Sequence, residues 1–541
     1  MMNKNIKHFL VAGLVCCNIA TALIACSDWS DHYDGSNITG EGNLTLWEQL
    51  ESYDQLSDFR EVLQQTKVFR MHKKTSVSYA DLLNSGQSFT VVAPVNGTFN
   101  KDSLLQLVQT NQGDSVVEKF FVLNHLSRTL NSLTAEKKSM MLLNAKHVEM
   151  GGNTIEGVTV NLANCHAKNG VFHVVSQPLP YQYSIYEALC DMPELSAVGQ
   201  ALRLYDEDYF DAEASVSSGI VEGVPVYVDS VVIERNTFLN RAGLIAAEDS
   251  TYWVVAPTAD GWQKAWQEAE KYFQYDEKVL KRDSIQHYWT TYALLNDAVY
   301  NMTDQKSVDD SLISVPYTRL KPEYHVFYKP FQSGGILSQA TPIECSNGVL
   351  YKTAEWPFTP EQAYFKELWS EAEQTSLITS EKECSYNIRR LATDSISEGS
   401  YLDILPRTST ANWDLTFRVY NTLSGAYDIC AIVLPKSVAN QVNPDLKPNK
   451  FKAYINYVDE AGDPQTFNCN NTEFTNDPER VDTIVLAENF HFPACNYDQN
   501  DIKISVRLLC SITARQTATY SREMYLDCIY LRPRTSKSEE Q

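Results

Sequence analysis

Trp413, Tyr427, Phe490, Phe492 and Tyr497, with Asn496 and Gln499 among them, are residues whose types could recognise a ligand. Neutral sugars present C–H faces that stack on aromatic rings and hydroxyls that pair with planar amides, so these residues form a candidate glycan-contact set. His125, between Leu123 and Leu126, reads as a strand residue. It has no Ser/Asp or Cys partner nearby, so it is expected to be structural rather than catalytic. Asp206, Glu207, Asp208 and Asp211 carry the ligand atoms calcium prefers but lack a glycine-turned loop spacing, and read as a solvated hairpin edge. No metallopeptidase, nucleophile-elbow, Walker or dinucleotide motif occurs. The sequence therefore assigns no catalytic residue, no metal and no cofactor. Paired carboxylates for glycoside hydrolysis leave no sequence mark, so a polysaccharide-acting hydrolase in the C-terminal region stays open as an alternative.

The elements that must position these residues announce themselves by repetition. Leu46-Trp47-Glu48-Gln49-Leu50, followed by Leu56-Ser57 and Val62-Leu63, aligns without a gap on Ile185-Tyr186-Glu187-Ala188-Leu189, Leu195-Ser196 and Ala201-Leu202. Both stretches carry apolar residues at helical spacing. Phe89 to Asn96 and Tyr252 to Ala259 form a second matched pair, each a β-branched run closed by Ala-Pro. Each predicts a strand ending in a turn. Asn169-Gly170-Val171-Phe172 and Asn347-Gly348-Val349-Leu350 form a third, in which Asn-Gly feeds a strand. Three landmarks in one order predict a duplicated domain. The second copy is longer, and the alternating Val224-Pro225-Val226-Tyr227-Val228 run predicts an inserted hairpin within 205–249.

After residue 384 the period changes from helical to alternating. Ile502, Ile504, Val506, Leu508, Cys510 and Ile512 fall on one side of a strand, and further short strands separated by Gly, Asn, Asp and Pro turns predict an all-β sandwich. Residues 363–383 read as a helical connector.

At 541 residues the chain exceeds one core, and 43% hydrophobic with 21% charged residues is the composition of a folded protein. A formal charge of −23 repels a phosphate backbone, which excludes nucleic acid as the expected partner. Nine cysteines, Cys165, Cys190, Cys345, Cys384, Cys430, Cys469, Cys495, Cys510 and Cys528, follow Cys26 without C-x-x-C spacing. They suggest no metal, and the sequence assigns no disulfide.

Lys4 and Lys7 precede an apolar stretch at 9–22 and then Leu23-Ile24-Ala25-Cys26, a run too short for an ordinary membrane-spanning helix. The segment resembles a lipoprotein signal peptide. The resemblance implies cleavage before Cys26, acylation of Cys26 and an outer-membrane location. The acidic residues that follow, Asp28, Asp31 and Asp34 among them, resemble the surface-export tether of lipoproteins from gut Gram-negative bacteria of the Bacteroides type.

The landmarks as a set resemble the fasciclin domain. Thr90 to Phe99, with Ala93, Pro94 and Asn96, is similar to its first motif; Phe121 to Leu126, with His125, is similar to its second; Asn169 to Val175, with Gly170, closes the pattern. In the second copy Ala256 and Pro257 keep the first motif, while Trp253, Ala259 and Trp262 depart from it and Ile285 to Trp289 is only a loose second motif. The expected architecture is α+β: a signal peptide at 1–25, a tether at 26–43, fasciclin-like domains at 44–182 and 183–362, the connector at 363–383 and a jelly-roll-like sandwich at 384–535. The resemblance implies adhesion without catalysis. The implied partners are an extracellular glycan or a matrix or cell-surface protein, with the membrane reached through the lipid anchor and an outer-membrane transporter of a glycan-uptake system as a further partner. A non-catalytic scaffold for that transporter is the other alternative reading.

Overall fold

The computed structural model describes residues 40–541 apart from 71–72, 222–223, 304–310, 316–324, 392–395, 440–443, 445, 470–472 and 536–541, with backbone only at 210–234. Cys26 and the signal segment lie outside the described residues. Two compact units divide the chain, Met1–Gln182 and Tyr183–Gln541.

In the first unit, Thr45 caps the helix Leu46–Glu51: its hydroxyl accepts from the Glu48 N–H at 3.2 Å, and its own N–H donates to the Glu48 carboxylate at 2.8 Å. Such reciprocal caps satisfy two otherwise unpaired donors at a helix start. This helix and Ser57–Gln65 cover one face of a seven-stranded sheet whose second strand, Phe89–Pro94, is buried along its whole length. Phe89, Val91 and Ala93 point into the helical core, and Val92 points into a second core with Met140, Met150, Ile155 and Val175. Each such side chain contributes about 1.5–3 kcal/mol of burial. Phe89–Pro94 pairs in parallel with Gly170–Val175 and antiparallel with Leu126–Ser127.

The second unit repeats this arrangement. Ser184 caps Ile185–Asp191 through Glu187 as Thr45 does through Glu48. Tyr252–Pro257 pairs in parallel with Gly348–Thr353, Tyr252 opposite Gly348 as Phe89 is opposite Gly170, and antiparallel with Val299–Asn301. Glycine is required where the strands first meet: a Cβ on Gly348, whose φ is +139°, would sit 1.8 Å from the Tyr252 carbonyl oxygen. The insertion is a long antiparallel hairpin, Asp206–Val221 with Val224–Asn236.

The rest of the second unit is a β-sandwich of two six-stranded sheets, with all pairs antiparallel. Ile504, Val506, Leu508, Cys510 and Ile512 are all buried in its core, while Ile502 is half-buried. Two expectations are corrected. Residues 363–383 are not a helical connector, because Leu368–Glu371 pairs with Met524–Arg534 and Ile378–Lys382 with Asp414–Arg418, so the sandwich begins there. Its strands Cys384–Arg390 and Ser400–Pro406 pair with each other, and the second of them pairs with Met524–Arg534. Nor does the sandwich stand apart from the second α+β body. One continuous core runs from Ile185 and Leu189 through Trp262, Trp289 and Phe365 to Leu415, Ile429 and Val506. A parallel bridge joins Tyr275 to Cys495, and the buried Asp276 carboxylate pairs with Lys503 at 2.8 Å.

Candidate functional site

The motif residues named from sequence are structural fastenings. Asn96 accepts the Asp58 N–H at 2.9 Å and donates to the Asp54 carbonyl and the Ser57 hydroxyl, tying the end of the strand Phe89–Pro94 to the start of a helix. At the matching position Ala259 keeps only a backbone bond, from its N–H to the Glu194 carbonyl. Ala93 and Ala256 are fully buried, and Pro94 and Pro257 end their strands. His125 ends a 3-10 turn, Leu123–His125, and does not lie on a strand as expected. Its Nδ1–H donates to the Phe121 carbonyl at 2.7 Å, and Nε2 accepts the Leu179 N–H at 3.0 Å. Burial lowers its pKa to about 4, so the ring is neutral and saturated with partners.

In the second body this position is not in Ile285 to Trp289, which lie inside the helix Arg282–Leu295. The pairing register puts it further on: Thr90 faces Ser127 and Trp253 faces Tyr300, so Ala298 stands where His125 does and Asp297 where Asn124 does. Asn124 is a buried amide whose nitrogen donates to the Leu179 and Pro180 carbonyls at 3.3 Å. Asp297 is a fully buried carboxylate, and it recruits a different set of partners. Ser314 donates to its Oδ1 at 3.2 Å and His325 Nδ1 lies 2.5 Å from the same oxygen, while Lys366 Nζ lies 3.9 Å from Oδ2. Lys366 also donates to His325 Nε2.

This relay borders a cavity of about 280 Å³ between the second body and the sandwich. Trp289, Tyr292 and Ala293 line it from one helix, with Asn296 just beyond its end. Phe273, Tyr364 and Tyr497 add further rings; Asn421, His325, Lys366 and Glu367 supply polar groups. The rings hold each other edge to face: Trp289 meets Tyr497 at 5.0 Å and Tyr292 at 5.3 Å between centroids, and Phe273 meets Tyr497 at 5.8 Å. The Tyr292 hydroxyl donates to Asn296 Oδ1 at 2.8 Å, fixing that amide at the cavity wall. A small cavity with aromatic walls and a few planar hydrogen-bonding groups suits a ring-sized, hydroxylated ligand. A more open hollow of about 220 Å³ lies on the side of Tyr364 bordered by Trp356 and Phe358, with Lys264, Glu268 and Glu355 as its charged groups.

Of the candidate glycan contacts, Tyr497 lines the cavity. Four of the others are core or framework residues. Trp413 is 1% exposed and donates from Nε1 to the Arg522 carbonyl at 2.5 Å. Tyr427 and Phe492 are each 1% exposed and pack on one another, and the Tyr427 oxygen accepts the Leu423 N–H. Asn496 is buried, and its Oδ1 accepts the Lys503 N–H at 2.8 Å. Phe490 is half-buried against Tyr457 and Phe467, away from the cavity lining. Loop proximity misled because alternate residues of a sandwich strand point inward, whatever their type. Sequence reasoning missed Trp289, Tyr292, Ala293 and Asn296, although their i, i+3, i+4, i+7 spacing marks one helix face.

The acidic hairpin residue Asp206 accepts from the Tyr186 hydroxyl and from the Asn236 amide, both at 2.7 Å. Among the described residues no group of three or more His, Cys, Asp or Glu is placed to hold a metal, and no helix is long and apolar enough to cross a membrane.

Residues 55–181 match the family model of the fasciclin domain, and the chain therefore contains one. No curated protein matches. Among solved structures, the fasciclin-domain pair of the insect cell adhesion molecule Fasciclin I is 12% identical over 51% of this chain and 90% of its own, with a TM-score of 0.18. A family 11 carbohydrate-binding module from Clostridium thermocellum, solved with a mixed-linked tetrasaccharide, is 12% identical over 31% of this chain and 95% of its own, with a TM-score of 0.20. A β-(1,4)-mannanase from Podospora anserina is 11% identical over 31% of this chain and 28% of its own, with a TM-score of 0.18.

Proposed function

We propose that this protein is a glycan-binding adhesion lipoprotein, anchored to the outer membrane through Cys26, displayed at the cell surface and accessory to a glycan-uptake system. The observation that carries the binding half of this reading is the cavity framed by Trp289, Tyr292, Tyr364 and Tyr497, with Asn296 and Asn421 at its wall. The fasciclin domain at 55–181 supports an adhesive role. Residues 183–362 are read as a second, divergent fasciclin domain, on the strength of the matched caps, strand registers and Asn-Gly junctions. The jelly-roll-like sandwich is its partner in forming the cavity. The anchor and the export tether rest on residues 1–34 alone.

A hydrolase is the competing reading. Glycoside hydrolysis needs two carboxyl groups flanking one bond. Among the described residues lining the cavity Glu367 is the only carboxylic acid, which favours binding over cleavage.

Calorimetry of the protein against neutral oligosaccharides, with Asn296→Ala and Asn421→Ala, tests the reading. Each substitution weakens binding by about tenfold, the scale of one lost hydrogen bond to a sugar hydroxyl. Unchanged affinity in both variants, or release of shorter products from polysaccharide, overturns it. Mass spectrometry of the mature amino terminus checks the anchor: Cys26 carries acyl chains, and Cys26→Ser abolishes them.

A further inference from the structure

The cavity does not end at its mouth. Glu367, which lines it, accepts a hydrogen bond from the hydroxyl of Tyr530. Tyr530 lies directly opposite Trp369 across the antiparallel pair Leu368–Glu371 with Met524–Arg534. Directly opposed residues share a sheet face. Their ring centroids sit 4.3 Å apart with the planes tilted by 33°, and Trp369 is 47% exposed. Ser370, between Trp369 and Glu371, turns the other way and is buried. Glu367 and Trp369 are two positions apart where the chain enters the strand Leu368–Glu371, so at most about 6.7 Å of backbone separates them. Beyond Tyr530 on the same face comes Arg532, whose guanidinium pairs with the fully buried Asp428 at 2.7 Å.

We infer that the Trp369–Tyr530 ring pair continues the cavity outward as a stacking platform, so that the ligand is a neutral oligosaccharide held by its end, one residue in the cavity and the next across the rings. This rests on the proposed function and deepens it. A lone exposed aromatic pair would fit many partners, but this one is joined to the cavity wall through Glu367. The charge along the path selects the ligand class. Asp297, Glu367 and Asp428 are matched by Lys366, Arg532 and Arg534, with Asp428 bound by both arginines and Lys366 beside Asp297. A balanced lining offers a uronate or an amino sugar no net field, while stacked C–H faces and planar hydrogen-bonding groups serve an uncharged ring.

The test is calorimetry of the whole protein with cello-, xylo- and manno-oligosaccharides of one to four residues, and with oligogalacturonides of the same lengths. Affinity rises about tenfold between one residue and two or three, the scale of a ring stacking on an aromatic pair. Trp369→Ala removes that gain and leaves the monosaccharide affinity unchanged, whereas Asn296→Ala weakens every member of the series. Circular dichroism confirms that these surface variants are folded. If affinity is independent of length, or Trp369→Ala binds the trisaccharide as well as the parent, the platform is refuted while the cavity reading survives. If Trp369→Ala weakens binding while neither Asn296→Ala nor Asn421→Ala does, the cavity reading fails instead, and the platform as its extension fails with it. Binding by no member of the panel overturns both, and a preference for uronate-containing oligosaccharides overturns the neutral ligand class.

Discussion

The side-chain oxygen of Asn347 accepts the backbone N–H of Ile185 at 2.9 Å, across 162 residues of sequence. Its amide nitrogen donates to the carbonyls of Ile245 and Ala247 at 2.9 and 2.8 Å. Asn169 does the same work in the first unit, accepting from Leu46 at 2.7 Å and donating to Leu83 and Ser85. One amide thus fastens the first helix, the strand junction and a loop in each body.

Asn347→Ala leaves three buried backbone groups without this partner. The expected loss is about 1–3 kcal/mol per unsatisfied group, shown as a lower denaturant midpoint. Asn347→Asp, which keeps the acceptor and loses the donor, falls between the parent and the alanine variant. An unchanged midpoint for Asn347→Ala would show that the fastening adds nothing to stability.

Acidification acts with opposite signs in the two units. His125 has its pKa lowered by burial to about 4 from an ordinary 6.5, so the unfolded chain binds the proton first. Its contribution to the first unit is complete above pH 6.5 and is lost as pH falls towards 4. In the sandwich, burial and the neighbouring carboxylates raise Glu373 to about 7, and burial with the Glu371 charge raises Asp527 to about 6. There the folded state binds the extra protons, so that stabilisation is present at low pH and is lost as pH rises through 6 and 7. Nuclear magnetic resonance reads the first effect as a His125 ring signal that stays unshifted between pH 7 and 5. Calorimetric melting reads the second as a midpoint that falls between pH 5 and 8, with Glu373→Gln flattening the slope.

Lys503→Met strands the Asp276 carboxylate, which is 2% exposed. Breaking a buried pair on one side costs about 3–5 kcal/mol, and the double variant with Asp276→Asn recovers part of it. The measurement is chemical unfolding of all three proteins. Equal stability of the single and double variants would mean the pair is not coupled.

Of the nine cysteines that the structure describes, eight are buried. Burial pushes the Cys190, Cys430 and Cys510 thiols up to about 11 and those of Cys469 and Cys495 to about 12. Thiolate is the reactive form, so these residues resist alkylation at pH 8 in the native protein. Half-buried Cys165 reacts first in a timed labelling experiment, and labelling of the buried set before unfolding would contradict the packing.

Where the chain signals its folding locally, the sequence was readable. The helices at Leu46 and Ile185, the strands at Phe89 and Tyr252 and the Asn-Gly junctions each depend on a short pattern of capping, alternation or turn residues. The candidate site was mostly illegible for the opposite reason. Asp297 and His325 meet through the pairing of strands that local pattern does not mark, and Lys366 precedes a strand that reads as helix. Trp413 and Tyr427 look like loop aromatics and are core, because burial depends on which way a strand faces. Trp289 and Asn296 could have been found by extending the helical spacing past Leu295.

The continuous core between the second body and the sandwich has a mechanical consequence. A cell held by a glycan in this cavity would transmit tension into both bodies at once, across interdigitated side chains and with no slack tether between them to stretch. The grip therefore yields only when that shared core ruptures or the sugar slips free, which makes the joint itself a stiff element in whatever contact the protein makes.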